Sequence, residues 1–160
     1  MVYIGSFLLI LCAFYIWRLF CSYLDGELAC LRSVLFALTD YRDKMRCYLM
    51  TPREWASSYK DELLEGCGML TRLRDGEDFA SAYNGVQADM TLSDGARTII
   101  EPCFAKLGEG YAETELAMLD MTVSRLTEEE KRETEQLSKR RKAIGATVGA
   151  CTSGLVIIMI

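Results

Sequence analysis

The sequence has no histidine, so it lacks both the side chain that titrates nearest neutral pH and the commonest metal ligand. It has only two prolines, Pro52 and Pro102, which leaves long stretches free of the strongest helix breaker. Its seven cysteines, at 12, 21, 30, 47, 67, 103 and 151, form no Cys-x-x-Cys pair. An odd, scattered set reads as reduced thiols and argues against a disulfide framework or a zinc site. A phosphate-binding loop of the Gly-x-x-x-x-Gly-Lys type is missing. Gly108-Glu109-Gly110 lacks the third glycine and the preceding strand of a dinucleotide fingerprint. Carboxylates do stand side by side, at Asp61-Glu62 and at Glu128-Glu129-Glu130. Adjacent helical residues point in different directions, however, so these read as solvated faces and not as catalytic dyads. No nucleophile has a base beside it. The sequence therefore carries no expected catalytic, cofactor-binding or metal-binding residue, and the chain reads as non-enzymatic.

Charge is also missing from the two ends. Val2 to Trp17 is uncharged, Arg18 follows, and apolar residues resume through Leu24. Ala143 to Ile160 is uncharged as well, and as a helix it would span roughly 27 Å at about 1.5 Å per residue, close to the ~30 Å hydrocarbon core of a bilayer. Each end is expected to be a transmembrane helix, over 2–24 and 143–160. Arg18 would carry its guanidinium to the interface while its stem stays in lipid. The first seventeen residues hold no Lys or Arg, which speaks against a cleavable signal peptide. Leu11 is bulky where a lipidation box needs a small residue before the cysteine, so Cys12 reads as an apolar side chain within the span.

Basic residues near span ends stay on the cytoplasmic side. Arg18 and Arg32 follow the first span, and the collar Lys139, Arg140, Arg141 and Lys142 precedes the second. The expected topology is a two-pass hairpin in the cell membrane, with the middle cytoplasmic and both ends outside. That middle, 25–138, holds all 23 acidic residues and 13 of the 18 basic ones, a net charge of 13 − 23 = −10. It is an acidic body on a basic neck. With the one basic cluster placed at the membrane surface, nucleic-acid binding is not expected.

Within 25–138 the periodicity is helical throughout. Leu31, Val34, Leu38, Tyr41, Met45 and Tyr48 recur three and four apart and predict a buried stripe on a helix over about 28–50. Thr51-Pro52-Arg53-Glu54 ends that helix and opens the next: Pro52 fits a first turn, and Thr51 with Glu54 makes a capping box. The second helix is expected to run to about Glu65, with Gly66 and Gly68 supplying its C-cap. Short helices follow over 69–74 and 77–83, punctuated by Asp75-Gly76 and Asn84-Gly85. Ser93 caps a helix over about 96–107, with Pro102 either kinking it or marking its start. No stretch alternates as a strand would. From Ala112 the residues Leu116, Leu119, Val123 and Leu126 predict one long helix that continues into the bilayer. Its segment 127–138 is a charged stalk with Leu137 as the lone apolar residue, supported by the pairs Glu128 with Arg132 and Glu135 with Lys139. The fold class is all-α: two transmembrane helices flanking a cytoplasmic helical bundle.

On the last span Gly145, Gly149 and Ser153 lie four apart, and Ala146, Ala150 and Gly154 repeat the spacing beside them. Small residues at this interval let two backbones approach in lipid, which marks a helix-packing strip for the first span or for another protein.

The order of Leu107-Gly108, an acidic stretch, a leucine-spaced segment, a Glu/Lys/Arg-rich stalk ending at Lys142, Ile144-Gly145 through Gly149 and a closing Val156-Ile157-Ile158-Met159-Ile160 resembles the stage III sporulation protein AB family. The N-terminal apolar segment and Thr51-Pro52 are similar too, so the resemblance spans nearly the whole chain. Two departures stand out: Tyr111 where the family tends to place an aspartate cap, and Glu115 where it tends to place a glutamine. The resemblance implies a component of the mother-cell apparatus that connects to the forespore during endospore formation in Gram-positive bacteria. It also implies a helical cytoplasmic domain similar to the inner-membrane platform subunit of type II secretion systems, located on the mother-cell side of the outer forespore membrane. Implied partners are a secretion-type cytoplasmic ATPase and other stage III sporulation channel subunits, with self-association left open. The competing reading is a two-pass membrane regulator that binds a soluble factor; a membrane-bound hydrolase is more remote.

Overall fold

The computed structural model describes residues 2–108 and 110–158, and the side chains of 11, 12, 14, 15, 17–19, 21–108, 110–141, 143 and 144. Among these residues the chain is entirely helical: α1 (Val2–Tyr48), α2 (Pro52–Ser58), α3 (Glu62–Gly66), α4 (Met69–Arg74), α5 (Phe79–Val86), α6 (Asp94–Phe104) and α7 (Ala112–Ile158). Two compact units result. One comprises Met1–Gly26 with Arg132–Ile160, the other Glu27–Lys131.

In the 27–131 unit the α1 stripe is the spine of the core. Leu31, Val34, Leu38 and Tyr41 are almost completely buried, each such side chain stabilising the fold by about 1.5–3 kcal/mol relative to exposure. Tyr48 departs from the expected stripe: as the last residue of α1 it is 75% exposed, because the helix outruns the core there. From α7, Leu119 and Leu126 are fully buried, and Leu116 and Val123 pack beside them. Two cross-links fix an antiparallel register between these helices. Arg32 donates to Glu130 at 2.7 Å, and Arg46 donates to Asp120 at 2.8 Å. Both are exposed pairs, worth at most about 1 kcal/mol each, so they set register more than stability.

Aromatic rings join the short helices to this spine. Trp55 of α2 stands between Tyr41 of α1 (centroids 5.4 Å) and Tyr59 (4.9 Å), and Phe79 of α5 packs on Tyr41 (5.1 Å) and on Phe104 of α6 (5.5 Å).

Several expected boundaries are corrected. The helix from Pro52 does not reach Glu65: it ends at Ser58, and a new helix starts at Glu62 because Asp61 accepts from the amides of Leu63 and Leu64. Gly66 is the last residue of α3, and Gly68, left-handed at φ 85° with its amide bonded to the Glu65 carbonyl at 3.0 Å, closes the end of α3 as expected and also leads into α4. The helix expected over 77–83 runs over 79–86, capped by Asp78. Asn84-Gly85 is no breaker; a Cβ on Gly85 would lie 2.6 Å from Arg72 Cζ, so glycine makes room for that guanidinium inside the helix. Ser93 caps α6 as read, but α6 begins at Asp94, and Pro102 sits in its last turn and does not mark its start.

In the other unit, Arg141 is ion-paired with Asp25, antiparallel in sense like the pairs above. Among the described residues no helix is long and apolar enough to cross a membrane. Most side chains of the two expected spans, over 2–24 and 143–160, lie outside the described residues.

Candidate functional site

The expected corner is a tight piece of local chemistry. Thr51 precedes α2 in extended conformation, its hydroxyl accepts from the Glu54 amide, and Glu54 accepts in return from the Thr51 amide at 2.9 Å, with Pro52 in the first turn. These hydrogen bonds hold the Glu54 carboxyl below its ordinary range. Thr51 and Glu54 are exposed, and their visible work is to turn the chain from α1 into α2.

Leu107 is buried at the end of the core, and Gly108 follows with φ 100°, a left-handed conformation in which a side chain would be strained. This turn is held by a residue whose role the sequence did not disclose. Glu115 is only 5% exposed, and its Oε1 accepts from the amides of Gly108 (2.9 Å) and Gly110 (3.0 Å). The carboxylate of Glu115 organises the loop from within α7, while Tyr111 is 88% exposed.

Two arginines escaped the sequence reading. Arg74 donates to the carbonyls of Ala56 (2.8 Å) and Tyr59 (3.1 Å) and to Glu65 (2.8 Å), tying down the unexpected break between α2 and α3. Arg97 donates to the carbonyls of Gln87, Met90 and Leu92 and so builds the connection from α5 to α6. No local signal announces either, since each depends on loop carbonyls that only the fold brings near.

Of the topology-setting residues, Arg18, Lys139, Arg140 and Arg141 are exposed, and Arg141 meets Asp25. The side chains of Lys142 and of the packing strip Gly145, Ala146, Gly149, Ala150, Ser153 and Gly154 lie outside the described residues. On α1, Leu11, Phe14, Tyr15, Leu19 and Tyr23 are half or more exposed.

Thiols and phenols of the core are kept protonated. Burial, with Cys67 next in importance, pushes the Cys30 thiol up to about 11, and burial followed by the Glu115 carboxylate raises Tyr41 far above the usual phenol range. Such thiols are poor nucleophiles. Among the described residues no group of three or more Cys, Asp or Glu is placed to hold a metal ion. An open groove of about 290 Å³ lies between α5 and α6, flanked by Tyr83, Gln87, Glu101 and Phe104.

Comparisons with protein-family models, with curated proteins and with solved structures find no match to this chain.

Proposed function

We propose that the chain is a non-enzymatic membrane platform component of a secretion-like complex connecting mother cell and forespore, akin to the stage III sporulation protein AB family. In this reading both ends cross the bilayer, the acidic helical unit lies in the cytoplasm, and α7 continues from that unit into the membrane. The body offers its surface to an ATPase or to other channel subunits, and the strip around Gly149 packs against a neighbouring helix.

The observation that carries the membrane part is the exposed apolar face of α1. Leu11, Tyr15, Leu19 and Tyr23 recur every fourth residue and remain half or more exposed, an apolar face that water does not favour and lipid does. The Arg141–Asp25 pair supports the hairpin, since it brings the basic collar level with the residue at which the first apolar segment ends. The order of motifs from Leu107-Gly108 to the last apolar run supports the family.

Cys47 makes a native topology probe, because it is exposed on the cytoplasmic unit. A membrane-impermeant maleimide should leave Cys47 unlabelled in intact cells and label it after lysis, while a cysteine added before Val2 should be labelled in both. Labelling of Cys47 in intact cells would overturn the orientation. Expression confined to sporulation, beside an ATPase gene, separates the platform from a two-pass regulator. Gly149→Leu should wedge the packed helices apart and reduce co-purification of partners without preventing insertion; undiminished co-purification would remove the strip from the account.

A further inference from the structure

The two units of the fold carry opposite charge. Residues 1–26 and 132–160 hold six basic and three acidic side chains, a net +3, and residues 27–131 hold twelve and twenty, a net −8. In the first unit one ion pair decides which charges remain for a ligand. Arg141 of α7 meets Asp25 of α1, so its guanidinium is engaged within the unit. Lys139 and Arg140 are exposed and make no ion pair among the described residues.

The same pair places cations beside apolar surface. Tyr23, 57% exposed, stands two residues before Asp25 on α1, and Leu19, 54% exposed, stands about one turn further from it. Because α1 and α7 run antiparallel there, Lys139 and Arg140 lie on one side of the Asp25–Arg141 level, and Tyr23 and Leu19 lie on the other. A soluble polyanion would match the cations and leave the apolar side chains in water. A phospholipid with an anionic headgroup matches both, its phosphate meeting the cations and its acyl chains covering Leu19, with the Tyr23 ring at the boundary. Ammonium and guanidinium groups hold phosphate oxygens by charge-assisted hydrogen bonds, and Arg140 can offer two in parallel.

We propose that the collar of this unit is a binding site for anionic phospholipid headgroups, in which Lys139 and Arg140 hold the phosphate while Asp25 withholds Arg141 and so limits the charge presented to the lipid. The inference rests on the membrane reading and deepens it by naming the lipid class taken beside α1 and α7. The same headgroups repel the −8 unit, so the attraction has to come from the collar.

The test uses the purified full chain reconstituted in bilayers of phosphatidylcholine and phosphatidylglycerol, with bromine on the acyl chains of one lipid or of the other. Of the two tryptophans, Trp55 is 2% exposed within the 27–131 unit, so quenching reports Trp17, partly exposed on α1 about 12 Å from Asp25 along the helix. The ratio of the two quenching curves gives the preference for the anionic lipid. The unaltered chain should favour phosphatidylglycerol about twofold or more, a preference that about 0.5 M salt weakens. Lys139→Gln combined with Arg140→Gln should bring the ratio close to one. Asp25→Asn should raise it by releasing Arg141. Arg125→Gln combined with Lys131→Gln, exposed and in the other unit, removes the same charge and should leave the ratio unchanged. A ratio of one for the unaltered chain, an equal fall in both double variants, or no rise with Asp25→Asn would each overturn the proposal. If neither lipid quenches Trp17, the membrane reading fails with it; if both quench equally, only the headgroup site fails.

Discussion

Trp55 Nε1 donates to Asp40 Oδ2 at 2.8 Å, and the same carboxylate oxygen takes the Lys44 ammonium at 3.0 Å. The bond fastens α2 to the spine at the point where the ring of Trp55, 2% exposed, meets Tyr41. Asp40→Ala would leave a buried indole N–H without an acceptor, at a cost of about 1–3 kcal/mol. Urea unfolding of the detergent-solubilised chain, followed by circular dichroism, should show that loss, whereas Lys44→Ala, which removes only an exposed pair, should change stability by less than about 1 kcal/mol.

Glu115 holds two loop amides with one oxygen, so its replacement separates charge from geometry. Glu115→Ala orphans both amides and should destabilise by about 2–3 kcal/mol. Glu115→Gln keeps an acceptor of the same length and should cost less than about 1 kcal/mol. Tyr111 immediately precedes α7 and is exposed, so Tyr111→Asp adds an N-terminal cap and should stabilise by about 1 kcal/mol. The three unfolding midpoints should therefore rank Tyr111→Asp above Glu115→Gln above Glu115→Ala.

What could be read from the sequence is what depends on neighbours in the chain. The Thr51, Pro52 and Glu54 corner closes within four residues, the Ser93 cap precedes a full-length helix, and the stripe from Leu31 to Met45 needs only a period. Asp61 is an equally good cap, but α3 has five residues, too short for a periodic signal to announce it, while at α5 the helix is expected and the Asp78 cap only moves its bounds. Gly85 and Glu115 stayed opaque for a different reason. A glycine under Arg72 and a carboxylate over Gly108 take their roles from residues brought near by the fold. The α5–α6 groove is of the same kind, since its walls come from residues 80–87 and 101–105.

Leu49 ends α1 with φ 51°, a left-handed conformation in which its amide still bonds the Met45 carbonyl at 3.0 Å. Its side chain is 70% exposed, so packing returns little for the strain. Glycine adopts this conformation freely and is the usual residue just past a helix end. Leu49→Gly should raise stability by about 1 kcal/mol, read as a higher unfolding midpoint with an unchanged denaturant slope. An unchanged or lower midpoint would mean that Leu49 has a packing role its exposure does not reveal.

The alkaline limit of the fold follows from raised thiols and phenols. Cys30 titrates near 9.0 when unfolded and at about 11 when folded, and Tyr59 moves from 10.0 to about 12, burial being the largest cause for both. Because the folded pKa is the higher one, the folded state holds more protons between the two values. The stabilisation is complete below pH 9 and is lost as pH rises through about 11 for Cys30 and about 12 for Tyr59. Stability measured from pH 8 upward should therefore fall in two overlapping stages. Cys30→Ala should shrink the first stage, leaving the share of Cys103, whose thiol burial also raises, so the slope between pH 9 and 11 becomes shallower even as lost packing lowers the plateau. A slope over that interval equal to that of the unaltered chain would assign the alkaline loss to other groups.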